Sequence, residues 1–324
     1  MKVTARFIVF GALSLLASGI LQGAEAQYPT RPIRIIVPFA PGAATDTIAR
    51  LVAQKMTESW GQQVVVDNRG GAGGNIGIGI AANAAGDGYT ILFVSSSYMV
   101  NPGLYRKTPY DPYKSFVPLS NLSASPHIFF AHPSQPVKSL PELIATVKKD
   151  PKKYSMATPG IGTVPHLSAN LLAIDAKLDL VTVPYGGGGP SLAAVVGNQV
   201  PFGCQAVPPV TPQMQAGRVR GLAFTSAKRM SMFPDVPTMA ELGFKGHESE
   251  TITGMLVPAG TPPAIAKKIY AETARIIKLP DVSQRIVEMG ADVIVSTPQQ
   301  FTAQIKDEVE KWKKVIATAG IKVE

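Results

Sequence analysis

Two glycine-bearing turns are the parts of this 324-residue sequence best suited to chemistry. They are residues 38–45, PFAPGAAT, and residues 157–163, ATPGIGT, and each joins an apolar, strand-like run to a segment of helical character. Glycine lets the backbone approach a ligand closely, and the first N–H groups of a helix have no partner inside the helix. Both turns are therefore predicted to hold an anion such as a carboxylate or a phosphate.

Two polar residues beside these turns leave alternatives open. Asp46 falls in the first turn of the predicted helix, where it would bind an amine, repel a wrong anion, or only favour the helix dipole. His166 follows Thr163 by three positions, so the two residues share one side of a helix start. This histidine is either a hydrogen-bond donor to a ligand or a core or capping residue.

Catalytic and metal-binding patterns are weak. The four histidines, at positions 127, 132, 166 and 247, form no close ligand pair, and the single cysteine cannot supply a thiolate cluster. The sequence has neither a Gly-x-Ser-x-Gly elbow nor a Ser-x-x-Lys motif. We therefore expect no catalytic residue, no metal and no cofactor.

The glycine-rich stretch at residues 69–79, RGGAGGNIGIG, imitates a nucleotide-binding motif but fails in detail. Counted from Gly71, the last position of G-x-G-x-x-G holds Ile76, and the match that starts at Gly77 ends inside a predicted helix. No Gly-Lys dipeptide is present, which excludes a Walker A loop. The glycines form either a tight structural loop or a loop that binds a carboxylate.

The first 26 residues have the organisation of a secretory signal peptide. Lys2 and Arg6 precede an apolar core at residues 7–21, and an Ala-Glu-Ala cleavage site ends at Ala26. The apolar core is shorter than the stretch of about 20 residues that spans a membrane. We predict that residues 1–26 are removed and that the mature chain is periplasmic, with a retained anchor as the alternative.

Charge and cysteine content exclude other classes of protein. The formal net charge of +9 falls to +8 on cleavage, and the basic residues are scattered as singles and pairs. A protein without a basic run interleaved with aromatic residues is not expected to bind nucleic acid. Cys204 lies in an apolar run and is predicted to be buried and inert.

Length and patterning predict an α/β protein with two domains. About 298 residues remain after cleavage, which exceeds the usual size of one domain. Apolar runs alternate with helical segments, as in the βαβ units of parallel sheets. Strands are predicted near residues 33–39, 63–66, 90–94, 155–157, 180–183, 202–206 and 221–225. Capping boxes at Ser139 and Thr238, and proline after Thr261 and Thr297, predict helix starts.

Taken in order, these motifs resemble the receptors of tripartite tricarboxylate transporters, the Bug or TctC family of extracytoplasmic solute-binding proteins. The resemblance runs from about Tyr28 to the C-terminus. The motifs that carry it are YPxRPIRIIVPF from residue 28, Pro41-Gly42 with Asp46 and Arg50, Asn68-Arg69 with GAGGNIG from residue 71, GDGYT from residue 86, Gly162-Thr163 with His166-Leu167, Val183-Pro-Tyr185 with Pro190, PDVPT from residue 234 with Glu241 and Gly243, and PAGTP from residue 258.

The resemblance implies a type II-like periplasmic binding protein with two lobes, each a mostly parallel sheet flanked by helices. The lobes would close like a flytrap over a carboxylate and deliver it to membrane permease subunits. Crossing strands would make lobe 1 from residues 27–127 plus 250–324 and lobe 2 from residues 128–249. Such a receptor works as a monomer, and backbone amides, hydroxyls and water would hold the ligand without an obligatory arginine.

Carried over position by position, the resemblance implies twelve ligand-binding residues: Phe39, Gly42, Ala43, Asp46, Asn75, Ser95 and Ser96 in lobe 1, and Gly162, Thr163, His166, Tyr185 and Gln205 in lobe 2. The chain departs from the family pattern at Ala43, Gly70, Gly186 and Ile252. Ala43 replaces a glycine and Gly186 a lysine, which raises an aromatic carboxylate as an alternative to a di- or tricarboxylate.

Two other functions stay open on the sequence alone. A periplasmic sensor would use the same closure but would present the closed form to a signalling receptor. An exported hydrolase of small esters or amides would need an activated nucleophile, and neither Ser95 nor Thr163 has a base at a readable spacing.

Overall fold

The computed structural model describes residues 28–42, 44–151 and 153–319, so the predicted signal peptide and Ala43 lie outside the described residues. The strands are β1 (Ile33–Val37), β2 (Val64–Asn68), β3 (Thr90–Val94), β4 (Phe116–Ala131), β5 (Ser155–Thr158), β6 (Val181–Pro184), β7 (Phe202–Ala206), β8 (Arg220–Phe224), β9 (Glu250–Pro258) and β10 (Asp292–Val293). The helices are α1 (Ala44–Trp60), α2 (Asn75–Ala82), α3 (Ser97–Leu104), α4 (Leu140–Lys149), α5 (Val164–Asp175), α6 (Gly188–Val196), α7 (Val207–Gln215), α8 (Pro263–Ile277), α9 (Pro280–Glu288) and α10 (Pro298–Ala319).

The described strands form a curled mixed sheet in the order β2-β1-β3-β9-β4-β7-β5-β6, with β8 and β10 also paired to β4. The strands at both ends are parallel, with β1 between β2 and β3, and β5 between β6 and β7. Antiparallel pairs occupy the middle, where β3 meets β9, β9 meets β4 and β4 meets β7. The α/β class predicted from alternation is confirmed, and two parallel units are joined by antiparallel strands.

β4 is the strand that passes from one half of the molecule to the other. Its residues 116–126 pair with β9, and its residues 127–131 pair with β7. The chain returns to the first half beside β4, just before β9. There the Thr225 N–H donates to the His127 carbonyl at 2.9 Å, and the Ser249 N–H donates to the Thr225 carbonyl at 3.2 Å. The pairing changes between Pro126 and His127, close to the predicted lobe boundary, which stays a prediction.

Each half has its own apolar core. In the first, the α1 residues Ile48, Val52 and Met56 recur at helical spacing and are buried against the strands. In the second, α4 packs against β4 and β7, where Cys204 is fully buried. Burial raises the pKa of the Cys204 thiol, so this cysteine is a packing residue.

Local signals place the helix starts. Ser139 caps α4 by accepting from the Glu142 N–H at 3.3 Å, and Thr297 and Gln300 bond each other's backbone N–H groups ahead of α10. The Thr238 box also forms, but only a short turn follows it. Within the described part of the chain, no helix combines the length and apolar character that crossing a bilayer requires.

The close packing of β4 on β7 predicts a strong response to one added methyl group. A Cβ at Gly203 would lie 2.3 Å from the Phe130 ring. We expect Gly203→Ala to lower the free energy of unfolding by about 1–3 kcal/mol through overpacking, measured by urea denaturation. Adding Phe130→Leu should recover part of the loss, and wild-type stability in Gly203→Ala would contradict this packing.

Candidate functional site

A cleft between the two halves lies at the carboxyl ends of β1, β3, β5, β6 and β7, where ligands bind in open α/β sheets. It has about 460 Å³ of empty space, which includes its open mouth. Its lining residues are Phe39, Ala44, Thr45, Ser95, Ser96, Pro159, Thr163, Val164, Pro165, Gly188, Gln205, Ala206, Pro209 and Thr251.

Helix N-termini surround this cleft. The lining contains the starts of α1, α5 and α6 and the capping residues Ser96 of α3 and Ala206 of α7. Each N-terminus carries the equivalent of roughly half a positive charge. Within the described part of the chain the lining holds no charged side chain and no group of three acidic, histidine or cysteine residues able to hold a metal. The cleft is thus suited to an anion bound by neutral donors.

Asp46 organises the first anion turn from inside. Its carboxylate is buried and accepts from the Gly42 N–H at 3.0 Å, from Arg50 Nε at 3.1 Å and from Asn68 Nδ2 at 2.8 Å. A carboxylate with these three donors is held in place, and Asp46 does not line the cleft. The Gly42 N–H is also bonded inside the turn, and the described residues of this turn that line the cleft are Phe39, Ala44 and Thr45.

The second turn is capped by its own threonine. Thr163 Oγ1 donates to the Gly160 carbonyl at 2.7 Å and accepts from the His166 N–H at 3.4 Å. The His166 ring turns to Thr158, with 3.1 Å between Nδ1 and Oγ1. Burial lowers the pKa of His166 to about 4, so the ring is neutral near pH 7. Thr163 lines the cleft, whereas His166 packs behind its wall.

Ser95 and Ser96 reach the cleft at the start of α3. The Ser95 hydroxyl lies 3.0 Å from that of Ser97. The Ser96 hydroxyl accepts from the Ile252 N–H and donates to the Glu250 carbonyl, both at 3.0 Å. Ser96 therefore ties the start of α3 to β9.

Gln205 has an unused donor. The side chain is 1 % exposed, and its Oε1 accepts from Ser191 Oγ at 2.9 Å. The amide nitrogen Nε2 has no partner among the described residues, although the residue lines the cleft. A buried donor without an acceptor is costly, so an acceptor atom from a ligand would stabilise this site.

An outer chamber continues the cleft past Phe39 and Pro159, which line both spaces. It has about 550 Å³ of empty space and is lined by Phe39, Gly71, Ala72, Gly73, Gly74, Tyr105, Pro159, Gly160, Ile161, Pro184, Tyr185 and Gly186. Tyr185 belongs to this chamber. Asn75 and Gly162 lie behind its walls, because Asn75 bonds Asn101 at 2.9 Å and a Cβ at Gly162 would meet the Asn101 amide oxygen at 2.6 Å.

The halves meet backbone to backbone beside the cleft. The Ala40 N–H donates to the Gly186 carbonyl at 3.2 Å. A Cβ at Gly189 would lie 2.5 Å from the Pro41 carbonyl oxygen, and one at Gly42 would lie 3.5 Å from Gly189 Cα. The contact at Gly189 requires glycine, whereas the distance at Gly42 is an ordinary van der Waals contact.

Thus five of the predicted residues, namely Phe39, Ser95, Ser96, Thr163 and Gln205, share the cleft, and Tyr185 faces the outer chamber. Sequence reasoning missed Thr45, Gly188 and Thr251. Thr45 and Gly188 stand at helix starts next to the motifs and were within reach of the same argument. Thr251 gives no local signal, since a threonine in a strand is ordinary.

Buried neutral histidines predict acid sensitivity. Burial lowers the pKa of His127 to about 3 and that of His166 to about 4, whereas an unfolded histidine titrates near pH 6.5. The unfolded chain therefore binds more protons below about pH 6.5, and stability falls from pH 7 to pH 5 by about 2 kcal/mol for each histidine. Urea unfolding at both pH values should show His166→Gln losing less stability than wild type. An unchanged loss would contradict a buried neutral His166.

Known proteins share this architecture. The family model described as "Tripartite tricarboxylate transporter family receptor" matches residues 48–321. The solved structure of the periplasmic binding protein BugD superposes with a TM-score of 0.89 at 36% identity, covering 92% of this chain and 100% of BugD.

Two further similar structures were solved with a small acid. Rpa4515 of R. palustris with adipate has a TM-score of 0.86 at 32% identity and covers 90% of this chain and 98% of its own. MatC (Rpa3494) from Rhodopseudomonas palustris with bound malate has a TM-score of 0.85 at 32% identity, with coverage of 89% and 100%. Adipate and malate are both small dicarboxylates.

Proposed function

Because this chain belongs to the tripartite tricarboxylate transporter receptor family, we propose that it captures a small carboxylate by domain closure and delivers it to membrane permease subunits. The proposed ligand is a di- or tricarboxylate or an aromatic carboxylate. Solved relatives hold adipate and malate, which supports the carboxylate class.

The unpartnered Nε2 of Gln205 carries the proposal. The Ser191 hydroxyl holds Oε1 at 2.9 Å, so Nε2 is left as the donor on the cleft side. Ser191 Oγ also lies 3.1 Å from the carbonyl of Gly188, the first residue of α6, and the proposal assigns the single Ser191 proton to the shorter contact, the one with Gln205 Oε1. A carboxylate oxygen would satisfy Nε2, and a hydrogen bond to a charged acceptor is stronger than one to a neutral acceptor.

The ligand-binding set proposed from the sequence separates by role. Phe39, Ser95, Ser96, Thr163 and Gln205 would meet the anion in the cleft, and Tyr185 would meet a longer or aromatic ligand in the outer chamber. Gly42, Asp46, Asn75, Gly162 and His166 would shape the walls, and Ala43 adjoins the first turn. Ordered water between ligand and wall would let one cleft accept several acids.

Closure would work as a population shift. A ligand that touches both turns binds the closed form more tightly than the open form, and that difference in affinity moves the equilibrium. The bond from Ala40 to Gly186 then forms at the same time as the ligand contacts. The closed surface would be the one presented to the permease, with the receptor acting in the periplasm as a monomer.

Catalysis is not part of the proposed function. The Ser96 hydroxyl is engaged with β9, and the His166 ring bonds Thr158 instead of a serine in the cleft. Nucleophilic catalysis needs a hydroxyl within hydrogen-bond reach of an effective base. Thr251 in the lining has His127 Nε2 at 2.8 Å, but burial lowers the pKa of that imidazole to about 3, which makes it a poor base near pH 7. A sensor role would use the same capture step, and permease or sensor-kinase genes beside this gene would separate the two partners.

Carboxylate capture is testable by thermal shift and calorimetry. Ligand-free protein lacking residues 1–26 is screened against malate, citrate, adipate, glutamate, benzoate and terephthalate, since a ligand that binds only the folded state raises the melting temperature. We expect selective stabilisation by one class of acid. Gln205→Met should weaken its binding about 10- to 100-fold, because the donor is lost at similar volume. No shift with any acid would contradict the proposal.

Closure has a separate test in a pair of glycine variants. Gly189→Ala would put a methyl group 2.5 Å from the Pro41 carbonyl oxygen, while Gly186→Ala would meet nothing within 4 Å. We expect Gly189→Ala to bind the selected acid at least about 10-fold more weakly, with an unchanged melting temperature in the free protein. Gly186→Ala should bind as wild type does. Equal affinities in both variants would contradict closure through this contact.

A further inference from the structure

A chain of hydrogen-bonding side chains crosses the hinge behind the cleft. His127 is fully buried, with its Nε2 2.8 Å from Thr251 Oγ1 and its Nδ1 3.0 Å from Ser249 Oγ. Ser249 Oγ lies 3.0 Å from Ser168 Oγ. Thr251 lines the ligand cleft, so the chain runs from Ser168 on α5 to the site itself.

The chain has two possible orders, and they present opposite groups to a ligand. A neutral imidazole has one N–H donor and one acceptor nitrogen, and each hydroxyl has a single proton. If Nε2 carries the proton, it donates to Thr251 Oγ1 and leaves the Thr251 O–H free to point into the cleft. If Nδ1 carries the proton, the Thr251 O–H donates to Nε2, and only the lone pairs of Thr251 Oγ1 face the ligand.

We propose that His127 is a positioning residue whose Nε2–H donates to Thr251 and thereby makes the Thr251 hydroxyl a donor to the bound carboxylate; this inference rests on the carboxylate function proposed above. Ser249 then donates to Nδ1, and Ser168 donates to Ser249. The rest of the lining favours this order, because Gln205 Nε2 and the helix N-termini are also donors. A threonine with its lone pairs toward an anion would oppose them.

The backbone holds the ring where this order requires it. The His127 N–H donates to Thr225 Oγ1 at 2.7 Å, and its carbonyl accepts from the Thr225 N–H at 2.9 Å. The Thr225 hydroxyl in turn donates to the Ser249 carbonyl at 2.7 Å. The ring is therefore positioned by strand pairing, and its two nitrogens are free to set the direction of the side-chain bonds.

The same chain links the two halves. Thr251 belongs to β9, which pairs with β3 in the half that contains β1 and β2. Ser168 belongs to α5, which contacts β7 in the other half. A change of hinge angle that separates Ser168 from Ser249 would release the donor that supports this order. The polarity of Thr251 is thus coupled to closure as well as to the ligand.

Nuclear magnetic resonance of the whole mature protein tests the order directly. Protein labelled with ¹⁵N-histidine, with His127→Gln used to assign the signal, reports which nitrogen is protonated. We expect a neutral ring with the proton on Nε2 in the free protein and after addition of adipate or malate. A proton on Nδ1 would overturn the proposal, and this result does not depend on which acid binds.

Paired variants measure the consequence for binding, with adipate and malate as probes. Thr251→Val removes the hydroxyl at equal size and is expected to weaken binding about 10- to 100-fold, whereas Thr251→Ser should stay within about 3-fold of wild type. His127→Gln keeps a donor near the place of Nε2 and should preserve binding. His127→Asn places its amide near Nδ1 and should lose as much as Thr251→Val.

The double variant and the wild type separate the possible failures. The double variant Thr251→Val with His127→Asn should lose no more binding affinity than either single variant, because both changes remove the same donor, the Thr251 O–H. Wild-type binding that survives in Thr251→Val would overturn the role of Thr251 and leave carboxylate capture intact. If wild type binds no acid in the panel, carboxylate capture fails, and the protonated nitrogen of His127 still decides the order.

Discussion

Among the described residues the lining of the cleft has no charged side chain, so the proposed anion would depend on neutral donors. The partial charge at a helix N-terminus acts only over the first turn, so several helices have to begin at one place. Parallel strands make this possible, because their carboxyl ends lie along one edge of each sheet. The two edges face each other here, and five helix starts reach the lining.

Short-range donors also require the halves to come very close. Gly189 allows the two turns to pass backbone to backbone, and the Ala40 N–H donates to the Gly186 carbonyl beside them. Asp46 serves this geometry from inside, since it holds the first turn through Gly42, Arg50 and Asn68. The Asp46 carboxylate is thereby engaged by three donors, one of which is the Arg50 guanidinium whose positive charge offsets its own.

Buried polar side chains in and beside the crossing strands bond the parts of the molecule that meet behind the cleft. Ser96 bonds two backbone groups of β9, and His127 links Ser249 to Thr251 within the hinge. Buried polar groups are tolerated when they are bonded, and such networks specify one arrangement of their members. The connection between the two halves is therefore both a pair of strands and a set of hydrogen bonds that reaches the cleft at Thr251.

Local patterning let the sequence determine the α/β class, most strand positions and the place of the two glycine-bearing turns at helix starts. The α1 residues Ile48, Val52 and Met56 lie four positions apart and are buried in the core, and the Ser139 box marked the start of α4. Local patterning did not place the long strands β4 and β9, and only the resemblance implied crossing strands near residues 127 and 250. Runs such as Ser120 to Ser125 are made of small polar residues and lack the β-branched and aromatic residues typical of a strand.

Only the tertiary structure decided which polar groups face the cleft. Gln205 is a candidate ligand donor because its Nε2 has no partner among the described residues. Thr251 is a candidate because it contacts His127, which lies 124 positions away in the chain. His166 and Asp46 carry the strongest local signals, yet their side chains are engaged behind the cleft walls. A sequence shows which donors and acceptors a chain has, whereas the pairing of those groups depends on contacts between distant segments that only folding brings together.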